Sequence, residues 1–191
     1  MLYRLWKKPS RVQLIRCGSA ITSSCAGTAI TTLLYFLLGY HVHEKAILPT
    51  ILLAGLLIPT SVQDAKIFVL LTVSGTLGLF PLLFTPRDVI TETLLSLSYV
   101  AVAWYSLNKQ YHGELQRRMT VVDYLVLGLM CVSWCCAYLF FPCLLPLLRL
   151  SGITRRNYPF MPLMIISVSC AIGNCYVLCL MCFQLFKEKS E

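Results

Sequence analysis

Apolar and polar positions alternate along this chain in long blocks, not in short periods. Six apolar blocks run over about 17–40, 46–63, 67–84, 89–107, 121–148 and 159–186, separated by short polar connections. A spanning helix needs about 20 apolar residues. Backbone groups in lipid find partners only within a helix or a closed barrel. The pattern therefore predicts an all-α, polytopic transmembrane helical bundle of about six spans, with 1–191 as a single helical region. The second and third blocks are short and contain Pro49, Pro59 and Pro81, which predicts tilted, kinked or partly re-entrant helices. The last two are long enough to tilt or to extend past the hydrocarbon. No internal repeat and no Gly/Ser linker interrupts the series.

Composition sharpens this picture. The 191 residues are 58% hydrophobic and only 13% charged, with a mean hydropathy of +0.74. A soluble domain carries roughly 25% charge. The net charge of +8 does not indicate nucleic acid, because the basic residues form short clusters beside apolar blocks instead of lining one face among aromatics. Of ten cysteines, eight (Cys131, Cys135, Cys136, Cys143, Cys170, Cys175, Cys179, Cys182) fall in the last two blocks. Their spacing fits no zinc site, and the expectation is buried packing as small hydrophobes. The basic N-terminus followed by an apolar segment mimics a signal peptide. That segment is too long, and five more follow, so a retained first helix is expected.

Six spans put both termini on one side. Eleven Lys and Arg then share that side: five in the N-terminal segment, Lys66 in the 64–66 turn, three in the 108–120 loop and two in the tail. Five (Lys45, Arg87, Arg149, Arg155, Arg156) face the other. Basic connections stay cytosolic, so both termini are expected in the cytosol.

One polar cluster stands out against this background. Gly39-Tyr40-His41-Val42-His43-Glu44-Lys45-Ala46-Ile47-Leu48 puts two histidines, an acid and a lysine between two apolar runs. Ionisable groups at membrane depth are rare and commonly functional. Three chemistries fit. His-x-His can turn two imidazoles toward a metal, but a third ligand is needed. A solvated boundary turn needs no ligand at all. An anion fits best: Lys45 offers a point charge, His41 and His43 offer N–H donors, and the cluster opens the second helix, whose free N–H groups attract phosphate.

Two further clusters are weaker. Leu79 to Asp88 brackets an apolar patch with Pro81 and Pro86. It reads as a helix break with a capped restart, or as a groove wall with Arg87 near a head group. Arg149, Arg155 and Arg156 precede Tyr158-Pro159-Phe160-Met161-Pro162, and they read as a solvated loop or as pyrophosphate contacts. Glu92 and Asp123 lie near helix starts, where the helix dipole accounts for them. No Gly-x-Ser-x-Gly, phosphate-cradling glycine loop, His-Glu-x-x-His or useful pair of carboxylates occurs.

Taken together, these strings resemble a known family. The run from Leu38 to Leu48 is similar to the motif of the dolichyl-phosphate-glucose-dependent α-1,3-glucosyltransferases of N-glycan precursor assembly. Leu79 to Thr85 is similar to that family's Phe-Pro-Leu-Leu-Phe segment, and Tyr158 to Gly173 to its C-terminal helix. Trp6 with Lys8-Pro9 resembles the lead-in. The wording is closer to the members adding the second glucose than to those adding the first.

The resemblance implies the C-terminal portion of a GT-C-type membrane glycosyltransferase of the endoplasmic reticulum, with a lumenal site. It implies dolichyl-phosphate glucose as donor substrate, with no separate cofactor, and a dolichyl-pyrophosphate-linked oligosaccharide as acceptor. By position in the motif, His43 is the expected donor-phosphate contact, helped by Lys45 and His41. Glu44, Arg87, Arg155 and Arg156 are expected in support. No catalytic base and no metal site is expected in this chain, because the family's acidic residue belongs to an N-terminal half that the resemblance places outside it. A truncated, non-catalytic membrane protein is the competing reading. A transporter or channel is disfavoured, since blocks one, three and six hold no mid-helix ionisable residue.

Overall fold

The computed structural model describes residues 11–40, 42–79, 88–138 and 161–190. Every regular element among them is helical. In chain order these are α1 (Arg11–Leu38), a 3-10 turn (Glu44–Ile47), α2 (Leu48–Leu57), α3 (Val62–Leu79), α4 (Asp88–Gln110), the short α5 (Glu114–Arg118), α6 (Val121–Cys135) and α7 (Met161–Ser190).

The predicted blocks thus appear as helices in order among the described residues. Among the described residues three segments, Val62–Leu79, Val121–Tyr138 and Leu163–Lys187, are long and apolar enough to cross a membrane. The block expected over 46–63 is realised as the 3-10 turn plus the 10-residue α2. At 1.5 Å per residue α2 is about 15 Å long, half the hydrocarbon thickness. Its bounds have a local cause. Pro49 sits in the first turn, where its missing N–H costs nothing, and Pro59 follows directly after the end. Neither proline kinks a helix interior. The 23-residue α4 is long enough, but Thr91, Ser96, Ser98, Ser106 and Asn108 dilute its apolar character.

α3 is the centre of the bundle. It packs on α7, α2, α5, α4, α6 and the 3-10 turn, and residues 65–72 are buried on every side. Its buried stretch is apolar on all faces apart from Lys66 and Thr72, as suits a central helix. Close approach depends on small residues. A Cβ at Gly75 would lie 2.7 Å from Ile51 Cδ1 and 3.3 Å from Ile47 Cγ1, so glycine lets α3 meet α2 and the polar turn that runs from Gly39 to Ile47, the signature turn. A Cβ at Gly173 would lie 2.0 Å from Met130 Cε and 3.2 Å from Ser74 Cβ, where α7, α6 and α3 converge.

Polar contacts tie the helices at several depths. Thr50 donates to Thr32 Oγ1 (3.0 Å), Ser74 to Asn174 Oδ1 (2.7 Å) and Ser169 to Ser133 Oγ (2.9 Å). Each gives a hydroxyl a partner that lipid cannot supply. The cysteines behave differently from expectation. Cys170 is buried, but Cys131, Cys135, Cys175 and Cys179 face outward. An outward face in lipid is as apolar as a core, so a small hydrophobe is at home on either side.

The contacts also define the two ends of the bundle. At one end lie the 58–61 turn, the start of α3, the 111–120 connection and the C-terminal part of α7. There Gln184 donates to Asp64 Oδ1 (2.8 Å), and the Tyr111 hydroxyl reaches Ile58 O and Ser61 O. Burial and the nearby Asp64 charge push the Tyr111 phenol above its ordinary pKa. At the other end, beside the C-terminal half of α3, lies the signature turn.

Candidate functional site

Local geometry sets the signature turn on the end of α1. Gly39 N–H donates to Tyr35 O at 2.8 Å. A Cβ at Gly39 would meet Val42 Cγ2 at 2.3 Å and Tyr35 O at 2.5 Å, so the reversal needs glycine. His43 is extended (φ −69°, ψ 143°) and caps the 3-10 turn without a side-chain hydrogen bond. The first bond of that turn runs from Ala46 N to His43 O at 2.8 Å. The N–H groups of Glu44 and Lys45 therefore precede the helical ladder. His43 and Lys45 are both exposed, and Ile47 is buried as the anchor between them and the core. Glu44 opens the 3-10 turn by its backbone.

The structure thus places two of the expected site residues, His43 and Lys45, on one open turn. His41, Arg87, Arg155 and Arg156 lie outside the described residues, as do Arg149, Tyr158 and the segment 80–87. Beneath the turn, between α1, α3 and α7, is a cavity of about 250 Å³. Phe36, Leu37, Ile47 and Ala171 give it an apolar wall, and Ser74 and Asn174 add polar groups. Among the described residues no group of three or more His, Cys, Asp or Glu is placed to hold a metal ion.

A second polar assembly was not anticipated. Lys66 Nζ lies 3.0 Å from Asp123 Oδ2, with both side chains almost fully buried. Asp123 also accepts from Thr120 N (2.6 Å), Thr120 Oγ1 (2.8 Å) and Tyr176 OH (2.8 Å). Thr120 and Asp123 form a capping box that starts α6. Two expectations need correction. Lys66 is not a free turn charge available to orient the chain; it lies inside α3 and its charge is matched. The third helix does contain ionisable residues, because it begins at Val62 instead of 67 and takes in Asp64 and Lys66. The cause is a second cap: Asp64 N–H donates to Ser61 Oγ (3.1 Å), and Ser61 Oγ lies 2.7 Å from Asp64 Oδ2. The reading of Asp123 as a helix-start acid holds, with Lys66 added. Lys66 precedes Gly75 by nine residues, about 14 Å along the helix axis. The pair therefore sits toward the end of the bundle away from the signature turn.

Buried polar ties between apolar helices, with an open basic turn over an apolar cavity, define a membrane-type helical protein with one chemically distinctive rim. The chain belongs to the ALG6, ALG8 glycosyltransferase family, whose model matches residues 1–181. It is 33% identical over 176 residues to the dolichyl pyrophosphate Glc1Man9GlcNAc2 alpha-1,3-glucosyltransferase of Mus musculus, covering 92% of this chain and 30% of the relative. The protein of the same name from Bos taurus is 32% identical over 178 residues, with 92% and 30% covered. That from Arabidopsis thaliana is 28% identical over 187 residues, with 92% and 33% covered. The chain therefore spans about a third of the length of the curated relatives it matches. Their names carry the monoglucosylated acceptor, in keeping with the second-glucose wording of the signature turn. No solved structure matches the chain.

Proposed function

We propose that this chain supplies the donor-phosphate site of a glucosyltransferase of the endoplasmic reticulum membrane. The reaction moves glucose from dolichyl-phosphate glucose to the monoglucosylated oligosaccharide on dolichyl pyrophosphate. The observation that carries the reading is the open His43–Lys45 turn over an apolar cavity, in a chain of this family.

The chemistry follows from the charges. An acceptor hydroxyl attacks the anomeric carbon, the bond from that carbon to the phosphate oxygen breaks, and dolichyl phosphate gains negative charge as it leaves. A cation and N–H donors aimed at that oxygen stabilise the transition state more than the ground state. Lys45 supplies the charge and His43 a directed N–H, with His41 beside them in sequence and Glu44, Arg87, Arg155 and Arg156 as supporting groups. We assign no catalytic base to this chain. The turn faces the lumen in this reading. Exposed Lys109, Arg117, Arg118 and Lys187 lie at the opposite end of the bundle and support a cytosolic placement of that end, and with it of both termini.

The test is glucose transfer in microsomes by the intact protein carrying His43→Ala. Loss of one such contact lowers transfer roughly 100-fold, with protein level unchanged. Wild-type transfer by that variant removes His43 from the reaction.

A further inference from the structure

A second cavity, of about 360 Å³, lies among α1, α2, α3 and α7 at the end of the bundle away from the signature turn. Ile30, Leu57, Ile67 and Met181 give it apolar walls, and Asp64 and Gln184 belong to its polar part. Ser23, also on its lining, is exposed, so the cavity is open at the surface. The Thr60 hydroxyl, Ser61 Oγ (2.7 Å) and Gln184 Nε2 (2.8 Å) all donate to the Asp64 carboxylate. The last of these bonds fixes which way round the Gln184 amide sits. Its Oε1 is therefore an acceptor, and it is buried with no partner among the described residues. A buried acceptor left without a donor is costly.

Charge points the same way. Asp64 stands in the first turn of α3, whose dipole favours an acid. But α2 ends at Leu57 and presents its opposite pole to the same 58–61 turn. The two poles offset each other and leave the carboxylate charge. Among the described residues no cation pairs with Asp64.

The occupant follows from these acceptors. An alcohol satisfies Gln184 Oε1 but leaves the charge unmatched. A quaternary ammonium matches the charge but has no N–H to donate. A primary ammonium does both. The apolar walls call for hydrocarbon on the same molecule. Exposed Arg117, Arg118 and Lys187 at this end of the bundle suit a phosphate beside the ammonium. A serine head group fits less well, because its extra carboxylate meets Asp64.

We infer that this cavity binds phosphatidylethanolamine, with the lipid's ammonium on Asp64 and Gln184 Oε1 and its hydrocarbon along the apolar walls. The site is separate from the His43–Lys45 turn and stands independently of the donor reading.

The test is lipid binding to the purified intact protein, read by native mass spectrometry from detergent. The lipids are phosphatidylethanolamine, phosphatidylcholine and phosphatidylglycerol with the same acyl chains. Phosphatidylethanolamine binds about tenfold more tightly than phosphatidylcholine, whose trimethylammonium keeps the charge but lacks N–H donors. Asp64→Asn removes the charge and abolishes that preference. If Asp64→Asn does not accumulate, Gln184→Leu removes the unpaired acceptor, leaves the Ser61–Asp64 cap in place and is read in the same assay. Equal affinity of the wild type for phosphatidylethanolamine and phosphatidylcholine overturns the inference, as does a preference that survives either substitution. Tightest binding of phosphatidylglycerol makes the basic residues the lipid contact and overturns it too. Displacement of the lipid by free ethanolamine at equal concentration overturns the role of the apolar walls and with it the lipid assignment.

Discussion

Replacing Lys66 with Met leaves the Asp123 carboxylate buried without its counter-charge. The pair is at 3.0 Å with side chains 4% and 0% exposed, so water does not screen the loss. Breaking a buried pair by removing one partner costs about 3–5 kcal/mol. The low end applies here. Asp123 keeps Thr120 N, Thr120 Oγ1 and Tyr176 OH as donors, and it stays at the start of α6, where the helix dipole favours an anion. The expected cost of Lys66→Met is therefore about 3 kcal/mol. The double variant Lys66→Met with Asp123→Asn removes both charges and keeps an acceptor for the cap, so it returns to within about 1 kcal/mol of wild type. Thermal denaturation of the purified intact protein in detergent, together with its abundance in membranes, reads both effects. Equal stability of Lys66→Met and wild type would refute the stabilising role of the Lys66–Asp123 pair, as would a double variant whose losses simply add.

Three further outcomes test other parts of the account. Gly39→Ala forces a methyl against Tyr35 O, a backbone atom that cannot yield, at a cost of about 1–3 kcal/mol; glucose transfer and the melting temperature should both fall, and an unchanged melting temperature would refute the need for glycine at the reversal. Gly173→Ala meets only the flexible end of Met130 and a looser Ser74 contact, so it should cost about 1 kcal/mol, against about 3 kcal/mol for Gly173→Val. Transfer should persist in excess chelator, because His43 serves a phosphate in this account; inhibition by chelator that zinc reverses would reinstate the metal reading.

The helices were legible because apolar blocks need no knowledge of what packs on what. The signature turn was legible for the converse reason: His41, His43, Glu44 and Lys45 are conspicuous against lipid-compatible neighbours. Helix boundaries were less so. The start of α3 at Val62 depends on Ser61 and Asp64 closing a cap, and read linearly those residues look like a loop. The shortness of α2 was visible only as prolines, and not as Pro49 inside the first turn and Pro59 outside the last. The Lys66–Asp123 pair joins positions 57 apart and the Ser74–Asn174 pair positions 100 apart. No local pattern encodes either partnership. A lone Lys near a helix start reads as an orienting charge, and a lone Asn in an apolar run as a tolerated polar residue. A buried Lys within an otherwise apolar helix needs an acid somewhere, and that is the signal that could have directed attention to Asp123.

Direct binding of dolichyl phosphate to the purified intact protein, comparing wild type with His43→Ala and Lys45→Ala, tests the central claim most closely. Roughly tenfold weaker binding or more is expected for each variant, since each removes a charge-assisted or directed contact to phosphate. Equal affinity across all three proteins would contradict it.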